Sequence, residues 1–154
     1  MIELPHTIVG AAIAVKVGNP ALALPLALAS HFVLDPIPHW NPHLYTELKK
    51  DGRVSKNSKL FMVGDVLLSL AAGLFIAFQM LPNIALFITV ILGAFVAVFP
   101  DVIKAPFYLF GVKNPLLVRY VNAERSIQGE TNIPAFGLFT QLLVVVAGFW
   151  WALS

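Results

Sequence analysis

The sequence predicts an all-α fold: an integral membrane helical bundle of about five transmembrane helices. Three observations predict it. Hydrophobic residues make up 58% of the 154 residues, and the mean hydropathy is +0.82. Charged residues make up only 12%, about half the ~25% usual in soluble domains. Three apolar runs approach the ~20 residues that a straight helix needs to cross a ~30 Å hydrocarbon core. So few charges cannot cover a soluble surface of this size, which argues against a water-soluble enzyme or a nucleic-acid-binding domain. With no cysteine, there is no disulfide framework, zinc–thiolate site or cysteine nucleophile.

The first two elements are short. Residues 7–17 and 21–34 are apolar and are separated by Gly18, Asn19 and Pro20, a tripeptide that turns the chain and starts a new helix. They form a hairpin, either of shallow spanning helices or re-entrant. Alanines and Gly10 along both arms allow close helix approach. Glu3 and His6 stand where a signal peptide carries positive charge, so the segment is not one. Residues 60–81 form the first long run, broken only by Asp65 and Gln79. Residues 84–99 form the second and end at Pro100 and Asp101, since the residue before a proline avoids the α region. Residues 133–153 form the third, with Trp150 and Trp151 as an interfacial anchor. The stretches 36–59 and 102–132 carry turns and most of the charge; 107–110 is too short to span, and 116–120 reads as an interfacial helix. The whole chain, 1–154, reads as a single transmembrane helical domain.

The hairpin turns act as rulers at ~1.5 Å per residue. Asp65 precedes Pro82 by 17 residues and Asp101 follows it by 19, which puts both roughly 26–28 Å from that turn. His6, His31 and Asp35 lie 13, 12 and 16 residues from Asn19, or roughly 18–24 Å from the other turn. With both turns on one side, these polar residues meet at the opposite end of the bundle. Of the 18 charged residues, all but Lys16 fall on that end. The positive-inside rule makes this end cytoplasmic, with the N-terminus and the polar site on that side.

Ser30 to Trp40 is the most informative segment. His31 and Asp35 are spaced i, i+4 and share a helix face, where an imidazole and a carboxylate can hold one metal ion. Pro36 and Pro38 then bend the chain, bringing His39 back toward the site. A carboxylate in or near hydrocarbon costs several kcal/mol, roughly 2.5–3.5 at a helix centre, and faces a partner, a cavity or an ion. The metal candidates are therefore His6, His31, Asp35, Asp65 and Asp101, and the catalytic candidates are Asp65 and His39. Such ligands without thiolate suit Zn, Mn, Fe(II) or Mg. A plainer reading pairs Asp65 with Lys59 or Arg53, and Asp101 with Lys104.

Pro5-His6-Thr7, Ser30-His31-x3-Asp35 and Phe99-Pro100-Asp101 together resemble the membrane-bound metal-dependent hydrolases, a family of small inner-membrane proteins. The resemblance implies a divalent metal cofactor and hydrolysis of a lipid or lipid-linked (phospho)ester, with membrane lipids as partners and no nucleic acid. Related sequences carry a His-rich motif before the last helix. Residues 122–130 here hold no histidine, and Glu124 or Glu130 stand where oxygen ligands could replace it. Asp51-Gly52-Arg53 opens the CDP-alcohol phosphotransferase signature, but the downstream aspartates are missing. Ion handling and a purely structural polar network are the competing classes; toward the opposite face the sequence offers an ion path little beyond Ser69, Thr89 and Gln141.

Overall fold

Seven helices and no strand make up the protein, seen in a computed structural model that describes residues 1–154. In chain order they are α1 (Glu3–Val17), α2 (Pro20–Leu34), α3 (Leu44–Asp51), α4 (Lys56–Phe78), α5 (Ile84–Phe110), α6 (Pro115–Arg125) and α7 (Pro134–Leu153). Three of them, α4, α5 and α7, are long and apolar enough to cross a membrane. Leu67, Leu68, Phe95, Leu142 and Trp150 are among the large apolar side chains left exposed on them, the surface expected of a protein whose solvent is lipid rather than water.

Helix α1 is the axis of the bundle and packs against α2, α4, α5 and α7. Its small residues make this possible. Ala11, Ala12 and Ala14 are fully buried in the core with Ile8, Ile76 and Val90. The closest crossing is between α1 and α5. A Cβ at Gly93 would meet Ala14 Cβ at 2.7 Å and the Gly10 carbonyl at 2.9 Å. Small residues of this kind let helix backbones touch where no hydrophobic effect drives association.

The turn expected between the first two arms is present. Gly18 has φ 69°, and Asn19 caps α2 by accepting from the Ala21 N–H at 2.9 Å. The α1 and α2 helices have 15 residues each, about 22 Å at 1.5 Å per residue, and fall short of a full hydrocarbon crossing.

The run expected at 84–99 does not stop at Pro100. Helix α5 continues through Pro100 and Pro106 to Phe110. Proline interrupts the hydrogen-bond ladder, but neighbouring groups can re-satisfy the freed backbone inside a bundle. The carbonyls that lose their i+4 donor are those of Val96 and Val102. Separately, Tyr120 Oη of α6 donates to the Pro100 carbonyl at 3.3 Å and ties α6 to this stretch of α5. Residues 107–110 are therefore the last turn of α5, which closes at Gly111 with φ 65°. The interfacial segment is longer than expected and forms α6. The 36–59 stretch contains α3.

These extensions change the depth of the polar residues. Asp65 is the tenth residue of α4, and Asp101 lies nine residues before the end of α5. Each is about 14 Å from the polar end of its helix. The carboxylates sit within the bundle, under α3, α6 and the loops, rather than at its rim.

Candidate metal centre

His31 occupies the last turn of α2 and Asp35 caps its C-terminus, its N–H bonding the His31 carbonyl at 3.1 Å. His6 lies in the first turns of α1, directly after Pro5. The three side chains converge and are fully buried. The His6 and His31 rings stack with centroids 4.1 Å apart and planes 23° apart. His31 Nδ1 lies 2.8 Å from the Ala97 carbonyl of α5. A carbonyl only accepts, so Nδ1 carries a proton and Nε2 is turned toward the site; in the neutral ring Nε2 is the lone-pair nitrogen. That is how protein matrices orient metal-binding imidazoles.

His6 Nε2 lies 3.2 Å from Asp35 Oδ1, and His31 Nε2 lies 3.3 Å from Asp35 Oδ2. Neither approach has hydrogen-bond geometry. His6 Nε2, His31 Nε2, Asp35 Oδ2, Asp101 Oδ2 and Glu124 Oε2 are all buried without a hydrogen-bond partner. Buried polar atoms are rarely left so, and each instance calls for an explanation. Donor atoms of His6, His31 and Asp101 lie within 4.8 Å of one another, as do those of His31, Asp35 and Glu124. Two ligands ~2.1 Å from one ion stand at most ~4.2 Å apart, so both groups are within several tenths of an ångström of coordinating spacing. The residues fit a divalent ion, and the imidazole and carboxylate donors match Zn, Mn, Fe(II) or Mg.

The surrounding charge points the same way. Glu3, Asp35, Asp65, Asp101 and Glu124 share this end of the bundle. Two buried cations face them. Lys104 pairs with Asp101 at 2.5 Å and with Glu124, and the Met1 amino group bonds Asp35 at 2.7 Å. The excess of carboxyl groups is what a cation neutralises. The expected Asp101–Lys104 pair is present, with Glu124 as a second acid on the same lysine.

Two candidate residues have other work. Asp65 pairs with neither Lys59 nor Arg53 and lies outside both ligand groups. Its Oδ2 accepts from the Glu3 N–H at 2.6 Å and its Oδ1 from the Leu4 N–H at 3.2 Å. It thus caps the first turn of α1 from another helix, where free N–H groups and the helix dipole favour a carboxylate. His39 does fold back, as the prolines require, but both its nitrogens are engaged. Nδ1 donates to the Ile37 carbonyl at 2.7 Å, and Nε2 accepts from Asn41 Nδ2 at 3.1 Å. Burial, aided by the N-terminal amino group, lowers its pKa and keeps the ring neutral. The His39 backbone bonds Gly129 and Thr131 and ties the two loops together. His39 thus has both ring nitrogens engaged and lies outside both ligand groups.

Glu124 reaches the cluster from α6, whereas Glu130 is exposed and contributes through its backbone. Of the two acids in the region that lacks histidine, Glu124 is the ligand candidate. Glu3 was not expected; its Oε2 is buried and unpartnered beside the cluster, and as an acid near the chain start it carries no spacing signal.

Beside the cluster lies a cleft of about 490 Å³ between α4 and α5. Glu3, Asp65, Asp101 and Lys104 form its polar floor, and Val63, Val66, Leu67 and Val102 are among its apolar walls. No protein-family model, curated protein or solved structure matches the chain.

Proposed function

We propose that the protein is a metal-dependent hydrolase of the membrane, acting on a lipid or lipid-linked ester. The observation that carries the reading is that His6, His31, Asp35, Asp101 and Glu124 each bury a polar atom without a hydrogen-bond partner and fall into two ligand groups that share His31, beside an amphipathic cleft. Those five residues would hold the ion. A bound divalent cation supplies Lewis acidity toward a carbonyl or phosphoryl oxygen. The chain's own residues do the rest. The Ala97 carbonyl fixes the His31 tautomer, Asp65 anchors the start of α1 and so positions His6, and Lys104 holds Asp101 and Glu124 in place. The cleft walls exclude water from one side and accept an acyl or prenyl chain.

In this reading the α1–α2 hairpin completes a five-helix membrane bundle with α4, α5 and α7. Nine of the ten Lys and Arg residues lie toward the polar end, which makes that end cytoplasmic in a prokaryotic inner membrane. The resemblance of the His31–Asp35 and Pro100-Asp101 segments to membrane-bound metal-dependent hydrolases supports the same chemistry.

The test is a screen of lipid esters and lipid phosphates with protein in nanodiscs, with and without added Zn, Mn, Fe(II) or Mg. Hydrolysis is expected to need metal and to fall at least 100-fold in His31→Ala and Asp101→Ala proteins that remain folded. Turnover that survives either substitution or exhaustive chelation contradicts the proposal.

A further inference from the structure

The cleft beside the metal centre has two positive charges with no acid of their own. Arg125, at the end of α6, has its guanidinium carbon 3.7 Å from the centroid of the Tyr45 ring. Lys59, at the start of α4, lines the same cleft. Neither pairs with a carboxylate, although Glu130 stands on the same rim; the ion pairs on this side belong to Lys104 and the Met1 amino group. Stacking over Tyr45 holds the Arg125 charge at a defined place at low conformational cost. Lys104, on the floor, is already neutralised by Asp101 and Glu124.

The walls are of the opposite character. Val63, Val66 and Leu67 follow i, i+3, i+4 spacing on α4 and are among its exposed residues; that spacing puts them on one face. Val102 and Leu109 of α5 also line the cleft. Apolar walls, two free cations and Asp101 of the ligand cluster thus line one cleft. Its 490 Å³ is within the ~300–1,000 Å³ of small-molecule sites.

We infer that this cleft takes a lipid phosphate monoester, with the phosphate between Arg125 and Lys59 and the chain along α4 and α5. A monoester carries about −1.5 to −2 at neutral pH and so matches both cations. A fatty carboxylate, with one charge, leaves one cation unmatched. Guanidinium and phosphate also pair bidentately. The inference rests on the hydrolase reading for its chemistry. In that chemistry water oxygen bonds phosphorus and the phosphorus–oxygen bond to the lipid alcohol breaks. One water proton ends on the departing alkoxide and the other stays on the released phosphate.

The experiment measures binding rather than turnover, using chelator-treated protein in phosphatidylcholine nanodiscs. Monododecyl phosphate, dodecanoate, dodecanol and inorganic phosphate serve as probes. Saturable binding of monododecyl phosphate is expected, at least tenfold tighter than dodecanoate or dodecanol and at least tenfold weaker in Arg125→Gln/Lys59→Gln. Inorganic phosphate is expected to compete only at far higher concentration, and Arg125→Lys to recover part of the loss. Equal binding of dodecanoate, unchanged binding in the double variant, or competition by inorganic phosphate at the same concentration would overturn it. Because neither cation belongs to a ligand group, metal uptake by the double variant stays at the wild-type level. Loss of metal binding in the wild type, with phosphate recognition intact, contradicts the hydrolase reading alone.

Discussion

At the scale of single residues, the contrast between His31 and Asp65 is instructive. Both are buried polar residues that sequence spacing brings to one level. His31 commits Nδ1 to the Ala97 carbonyl and leaves Nε2 without a hydrogen-bond partner. Asp65 spends both oxygens on backbone N–H groups of α1. The His31–Asp35 spacing was legible from one helix turn, and Asp101–Lys104 likewise. The Asp65 cap joins residues 62 apart, and nothing local announces it. Because a lost N-terminal cap typically costs ~1 kcal/mol, up to ~2, Asp65→Ala should lower stability by about 1–2 kcal/mol even in metal-free protein. Asp65→Asn, which keeps one acceptor, should lose less. Denaturation of both variants in chelator checks this; an Asp65→Ala protein as stable as the parent contradicts the capping role.

Element by element, the long apolar runs and the Gly18-Asn19-Pro20 turn could be read directly, because hydropathy and turn chemistry act locally. The end of α5 could not. Pro100 and Pro106 are ordinary stop signals, yet the helix runs through both to Phe110, held by packing against neighbouring helices that no local signal announces. The crossing of α1 over α5 is likewise tertiary. Filling that contact is the sharpest test of it. Gly93→Ala should destabilise by about 1–3 kcal/mol through overpacking, since its new Cβ would lie 2.7 Å from Ala14 Cβ. Gly64→Ala, where nothing stands within 4 Å, should be neutral or stabilising by up to ~1 kcal/mol from helix propensity. Thermal unfolding of the two variants side by side separates the outcomes. Equal effects would mean that the α1–α5 contact is looser than described.

For the whole molecule, the arrangement follows from a scarcity of charge. With 12% charged residues, the chain leaves leucines and phenylalanines exposed along three long helices, and it concentrates its acids and histidines at one end. A polar cluster of this kind cannot be left unsatisfied under a hydrophobic bundle without large cost. Lys104 and the Met1 amino group answer part of the demand, and the remaining lone pairs converge on a space that suits a divalent ion. The proposed metal centre is tested most directly by elemental analysis of the purified protein combined with its melting curve before and after chelation. One divalent ion per chain is expected, with stability rising by about 2.7 kcal/mol when free metal reaches 100 times its Kd, and with both effects absent in His31→Ala. Protein that purifies without metal, takes up none, and melts unchanged in chelator would contradict the account.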